Sequence, residues 1–238
     1  MSATQHFGAP SRGLARGLDD AIARTAQRYV GGRRFARHYV ASKLRTDPVH
    51  RTILAMAAAE PFGDVTDVGC GRGQLGLALL EAGGARSVIG LDWAGQSLDD
   101  ARRAGAGLAF TARAQDLSTD VRTDACDTAL LIDVLYILRQ PQALGLLAAV
   151  AAAARQRVLV RTLDPALGWR SRVHLGMEWL GRPVWPHAGA TVDPAPVPAL
   201  TAVLTEAGFD VTVAPCWAGT PFANVLLTAT REPGTYSG

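Results

Sequence analysis

Residues 65–76, Val65-Thr66-Asp67-Val68-Gly69-Cys70-Gly71-Arg72-Gly73-Gln74-Leu75-Gly76, constrain the chain more than any other stretch. A β-branched run feeds three alternating glycines. Leu75, Ala78 and Leu79 then share one helical face, and Gly83-Gly84 ends the pattern. In α/β proteins a strand, a tight glycine turn and a helix bring backbone N–H groups close to a ligand. Glycine serves there because it accepts positive φ and puts no Cβ between backbone and ligand. Gly71-Arg72-Gly73-Gln74-Leu75-Gly76 also satisfies the dinucleotide pattern G-x-G-x-x-G, so a nicotinamide cofactor and a plain glycine turn both stay open at this point.

From residue 64 the chain alternates. Strands are expected at 64–68, 87–91, 108–113, 127–132, 157–162, 209–215 and 223–230, and helices at 73–82, 95–105, 140–154 and 197–207. That rhythm predicts an α/β, Rossmann-like, seven-stranded and mostly parallel sheet with helices on both faces. The last two strands follow each other with no helix between, which predicts a C-terminal antiparallel hairpin. Ahead of the sheet, Leu14, Leu18, Ile22, Ala26 and Tyr29 recur at helical spacing. A second helical stretch carries Phe35, Tyr39, Val40 and Leu44, and Asp47-Pro48 reads as an N-cap and first helical position of a third. Residues 1–60 are therefore expected to be a tail and a helical cap, and residues 61–238 the main domain. The Ala/Leu run 143–154 is too short to span a bilayer and reads as a buried helix.

The fuller string Asp67-x-Gly69-x-Gly71-x-Gly73 resembles motif I of class I S-adenosylmethionine (SAM)-dependent methyltransferases. The resemblance implies SAM as cofactor. It places Asp67 near the methionine part and runs Gly69, Cys70, Gly71 and Gly73 beneath the cofactor. Asp92 ends the second strand, 21 positions after Gly71, close to the spacing of a ribose-binding acid; helix capping is its other reading. Trp93 would then lie beside the adenine. After the third strand, Asp116 matches the family's acid for the adenine amino group, with Leu117 in apolar contact with the base. The fourth strand, Asp127–Tyr136, resembles motif IV and sets Asp133 at its carboxyl end, near the methyl donor. The terminal hairpin fits the same family. Departing from the family, Ala153-Ala154-Arg155-Gln156 replaces the Pro-Gly-Gly turn usual before the fifth strand.

Composition narrows the partners. The chain is 48% apolar, with net charge +3 and pI near 9.0, but its cations are almost all arginine and Lys43 is its only lysine. With so much alanine this reads as genomic bias, so nucleic acid is not expected as a partner without a clustered basic patch. Cys70, Cys126 and Cys216 are widely spaced and show no ligand pattern with histidine, so no metal is expected. Reduced thiols and the lack of a signal-peptide core point to the cytoplasm. No motif speaks to oligomeric state.

The acceptor is less sharply written. No Asn-Pro-Pro-Tyr-like sequence follows the fourth strand, which disfavours adenine and glutamine amide methylation and leaves a small-molecule acceptor. An oxygen nucleophile calls for a base, with Asp133, Tyr136, His174, His38 and His187 as candidates. The insert 163–198 carries Trp169, Trp179, Trp185 and several arginines, and is expected to be a lid over an aromatic or anionic substrate. Residues 39–48 and 130–136 are also similar to bacterial methyltransferases of lipid and aryl-polyene pathways, which implies O-methylation of a phenolic or lipid-like acceptor. An RNA methyltransferase, a non-catalytic SAM-binding protein and a nicotinamide oxidoreductase are the alternatives; the last lacks a Tyr-x-x-x-Lys pair.

Overall fold

The computed structural model describes residues 12–30, 34–119, 122–167, 193–216 and 224–231. Three helices lead, α1 (Arg12–Gln27), α2 (Arg34–Thr46) and α3 (Pro48–Ala59). The alternating part follows as β1 (Asp64–Val68), α4 (Gln74–Glu81), β2 (Ser87–Asp92), α5 (Gln96–Ala104), β3 (Phe110–Ala114), β4 (Cys126–Ile132), α6 (Gln140–Ala153) and β5 (Ala154–Leu163). Then come α7 (Val197–Glu206), β6 (Asp210–Pro215) and β7 (Asn224–Thr230). The sheet order is β3-β2-β1-β4-β5-β7-β6, with β7 antiparallel to both its neighbours. The expected α/β architecture and terminal hairpin are both present.

Alternation along the strands sorts side chains onto two faces. Val68, Leu131, Val160 and Leu227 point into one buried layer with Leu147 of α6 and Leu204 of α7. Val65, Leu130, Leu159 and Leu226 share the other with Ile53 and Leu54 of α3 and Leu77 of α4. Each fully buried aliphatic contributes about 2 kcal/mol. The cap belongs to this second layer. Leu18 and Ile22, one helical turn apart on α1, are buried in it, and Arg28 donates to Glu81 of α4 at 2.6 Å. Asp47 caps α3 by accepting from the Val49 N–H at 3.2 Å, as its position before Pro48 predicts.

Two local readings change. The Ala/Leu run is not buried all round: α6 buries Ala143, Leu146, Leu147 and Val150 and turns Gly145, Ala148 and Ala152 outward. Alanine and glycine cost little in water, so composition hid the helix's two faces. No turn separates α6 from β5 either, because Ala154 is already extended (φ −81°, ψ 127°) and starts the strand.

The order places β1 beside β4, so the chain leaves the sheet in opposite directions after these two strands. Such a switch point opens a crevice at the strands' carboxyl ends. Val68 pairs with both Leu91 and Leu131, which brings the loops after β1, β2 and β4 to one rim.

Candidate active site

The crevice holds a cavity of about 360 Å³. Its walls include Asp67, Gly69, Cys70, Gly71 and Gln74 from the β1–α4 region, Asp133 and Tyr136 from the β4 loop, and Tyr39, Lys43 and His50 from the cap. Ligand sites of small molecules begin at about this size.

The glycine loop is shaped by close approach. Gly69 has φ +75°, and a Cβ there would lie 2.7 Å from Val134 side-chain atoms. Gly73, also at φ +75°, leads into α4 with the Phe110 ring where its Cβ would be. The loop's N–H groups turn inward. Gly69 and Cys70 both donate to Leu91 O, at 2.8 and 3.1 Å, Gly73 donates to Cys70 O at 2.8 Å, and Gly71 donates to Asp92 Oδ2 at 2.5 Å. A pyrophosphate needs such groups free, so this loop is a poor dinucleotide cradle and a better bed for a ligand without phosphate.

Asp67 lies beneath the loop, 3% exposed. Burial, and then the Asp92 charge, push its carboxyl up to about 7, against a hydrogen bond from the Gly76 backbone. Such a group ionises readily only when a cation arrives, which suits an ammonium or sulfonium ligand. Asp92 ties the loop down, since Oδ1 accepts from Trp93 N at 2.7 Å while Oδ2 holds Gly71. It does not cap α5, whose N-cap is Gly95 without a side-chain hydrogen bond. Trp93 Nε1 donates to Asp116 Oδ1 at 3.0 Å, and the same oxygen accepts from Ser118 N at 2.9 Å. The two acids expected at the ribose and the adenine are thus joined through one tryptophan. Leu117 departs from expectation: its side chain is 1% exposed, in the layer with Leu91 and Leu131, and is spent on the core. The Cys70 thiol also packs inward, against the Cα of Gly90 on β2, so Cys70 meets a ligand through its backbone.

At the other end of the cavity stands a charge cluster that the sequence reading did not find. Arg161 of β5, 3% exposed, donates from Nε to Asp133 Oδ1 at 2.7 Å, and its terminal nitrogens reach Asp133 and Asp47. Lys43, the only lysine, lies 3.4 Å from Asp133 and 3.6 Å from Asp47. Burial alone would raise the Asp133 carboxyl, but Arg161 and Lys43 outweigh it and hold it well below the usual range. Asp133 is therefore a poor base, which corrects one candidate. It is also the only non-glycine with positive φ among the described residues, at 62°. His38 is exposed on α2. Tyr136 is 4% exposed in the cavity wall, and its carbonyl accepts from Asp193 N at 2.9 Å. His174 and His187 lie outside the described residues, as does most of the expected lid (168–192); its far end is pinned where Asp193 also accepts from Gln140.

His50 was missed entirely. It is 1% exposed, with Nδ1 buried and unpaired among the described residues and 4.0 Å from Asp47 Oδ2. Burial holds its ring neutral down to about 4. Gln74 Oε1 is also buried without a hydrogen-bond partner among the described residues. The available signals were Arg161 inside an apolar strand run, where a charge must find partners, and a single lysine in an arginine-rich chain.

Residues 65–157 match the family model described as a methyltransferase domain. No curated protein matches the chain by sequence. Among solved structures, magnesium protoporphyrin IX methyltransferase from Synechocystis PCC 6803, with bound SAH, is similar at 20% identity over 92% of this chain and 98% of its own, TM-score 0.62. The pyocyanin biosynthetic protein PhzM is similar at 22% over 88% and 61%, TM-score 0.59. The N-methyltransferase NodS from Bradyrhizobium japonicum WM9, in complex with SAH, is similar at 13% over 93% and 97%, TM-score 0.56. At these identities the likeness speaks for the fold. Residues 65–157, the first half of the sheet, thus match a methyltransferase domain, and the chain as a whole shares the fold of these SAM-dependent methyltransferases.

Proposed function

We propose that the enzyme methylates a hydroxyl of a small phenolic or lipid-like acceptor, in the cytosol. The observation that carries this is the cavity shared by the glycine loop and the cap, lined by Tyr39, Lys43, His50 and Tyr136 beside the loop. Two aromatic rings and a cation suit a flat acceptor with a partly anionic oxygen. A small-molecule acceptor is in keeping with two similar structures, magnesium protoporphyrin IX methyltransferase and the pyocyanin biosynthetic protein PhzM.

SAM supplies an electrophilic methyl group. In this reading Asp67 and the backbone of Gly69, Cys70, Gly71 and Gly73 hold its amino-acid part. Asp92 takes the ribose, and Trp93 and Asp116 the adenine. The pair Arg161–Asp133 fixes the β4 loop against the cap. In-line transfer needs alignment above all, and holding both reactants in one closed crevice supplies it. Residues 1–60 serve as the cap of the catalytic domain 61–238, and the insert 163–198 as its lid.

Calorimetry with SAM, SAH and NADH, followed by transfer of labelled methyl from SAM to phenols, acyl-linked hydroxyls and RNA, tests the reading. Micromolar SAH binding with methylation of a phenol or lipid-like hydroxyl is expected. Methylation of RNA alone, with a steep salt dependence, would overturn the acceptor class.

A further inference from the structure

The cofactor reading leaves His50 without a task. It sits on the first turn of α3, in the cavity wall, almost wholly buried. Its Nδ1 has no hydrogen-bond partner among the described residues. A buried polar atom left unpaired is costly, and such a cost asks for an explanation in terms of what the group does. The nearest carboxylate oxygen, Asp47 Oδ2, lies 4.0 Å away, beyond hydrogen-bond distance. Asp47 accepts from Arg161 and from Val49 N, and Lys43 and Arg161 share Asp133.

We propose that His50 accepts the proton of the acceptor hydroxyl as it is methylated, so that the cap takes part in the chemistry. This rests on the hydroxyl methylation proposed above. An oxygen lone pair forms the new O–C bond while the C–S bond of the donor breaks and sulfur keeps the electron pair. The O–H proton passes to the unprotonated imidazole nitrogen and from there to solvent.

The surroundings fit that task. The charged groups facing the ring are Asp47 at the α3 N-cap, Lys43 of α2, Arg161 of β5 and Asp133 of the β4 loop, two of each sign. Their effects oppose one another and burial decides, leaving the ring in its accepting form at neutral pH. The imidazolium formed in the step has Asp47 at 4.0 Å to stabilise it. Asp133, the other expected base, is held in two ion pairs. Asp47 and Arg161 act as positioning residues for the ring.

The test compares wild type with His50→Gln on two acceptors, one phenol protonated at the assay pH and one already ionised. A kcat loss of roughly 10²–10⁴-fold on the protonated phenol, a loss below about tenfold on the ionised one, and SAH affinity within about threefold are expected. A wild type active on both, with a variant that loses nothing or loses equally on both, overturns the proposal alone. A wild type that methylates no hydroxyl overturns the functional reading and the proposal with it. Where His50→Gln fails to bind SAH, wild type labelled with ¹⁵N-histidine decides. Acceptor added to the SAH complex should shift the ring nitrogens of the imidazole that stays neutral at pH 5, and no shift overturns the proposal.

Discussion

Arg161 donates from Nε to Asp133 Oδ1 at 2.7 Å while its terminal nitrogens also reach Asp47, so one side chain joins the sheet, the β4 loop and the helical cap. Removing one member of a buried ion cluster strands the others in low dielectric, which costs about 3–5 kcal/mol. Arg161→Met should therefore lower the urea midpoint strongly. Asp133→Asn in that background should cost much less than it does alone, because the stranded charge is already gone. Additive losses in the double mutant would show that the two side chains do not act as a unit.

The same cluster sets the acid limit of stability. Asp47 and Asp133 have folded pKa values below the ordinary 3.8. Their stabilisation is present above that value and is lost as pH falls through the folded ones. Wild type should lose stability steeply below pH about 4, and Asp133→Asn, less stable at neutral pH, should show a shallower fall. Parallel unfolding curves for the two proteins would contradict this.

Asp67 runs the other way. Its carboxyl, raised from 3.8 to about 7, binds a proton more tightly in the folded chain than in the unfolded one. That contribution is complete below pH about 4 and is lost as pH rises through 7. Asp67→Asn should come closest to wild type near pH 4 and exceed it in melting temperature by a growing margin up to pH 8. If a cationic cofactor part binds beside Asp67, SAM binding at pH 6.5 should release a fraction of a proton, read by calorimetry in buffers of different ionisation enthalpy. Asp67→Asn should abolish that release. An unchanged release would place it on another group.

The sequence was legible wherever local pattern and topology agree. Strands β1, β2, β4 and β7 fall within a residue of their expected ends because β-branched runs and glycine stops mark them. Asp67, Asp92, Asp116 and Asp133 could be singled out in the sequence because each lies at or just beyond the carboxyl end of a strand on the same sheet edge, where spacing along the chain stands in for distance. Lys43, Asp47, His50 and Arg161 were not found as a group because they come from α2, α3 and β5, joined only by tertiary packing. Asp47 was read correctly as a cap, yet nothing local said that its carboxylate also receives Arg161, 114 positions away. Leu117 failed in the opposite sense: an apolar residue after a strand looks alike whether it faces a base or the core.

The glycines of the loop should differ sharply in tolerance. Gly69→Ala adds a Cβ 2.7 Å from Val134 atoms at φ +75°, combining a clash with left-handed strain. Gly71 has φ +57°, but a Cβ there meets nothing within 4 Å. Gly71→Ala should cost about 1–2 kcal/mol. Gly69→Ala should cost this strain plus about 1–3 kcal/mol for overpacking. Thermal unfolding of the two variants checks the order, and a Gly69→Ala protein as stable as Gly71→Ala would refute the close packing of the loop on Val134.

Asp92 and Asp116 offer the most direct check on the cofactor site, because Trp93 lies between them. Asp92 accepts from the Trp93 backbone at 2.7 Å, and Asp116 accepts from its indole at 3.0 Å. Asp92→Ala frees the Gly71 and Trp93 N–H groups and removes the proposed ribose acceptor, so SAH affinity should fall about 10–100-fold, at about 1.4 kcal/mol per tenfold. The fold should suffer less, since Asp92 is only half-buried, at the end of β2, and outside the apolar layers. Asp116→Ala frees the indole to swing and should weaken SAH by about tenfold, the cost of one charge-assisted hydrogen bond. The double variant should lose less than the product of the two single losses, with a coupling of about 0.5–1.5 kcal/mol, because either change already releases the tryptophan that both acids hold. Trp93→Phe keeps the ring and the backbone contact but deletes the indole donor. In that background Asp116→Ala should cost little more. A full tenfold loss there would mean that Asp116 meets the cofactor directly and that Trp93 is only its neighbour.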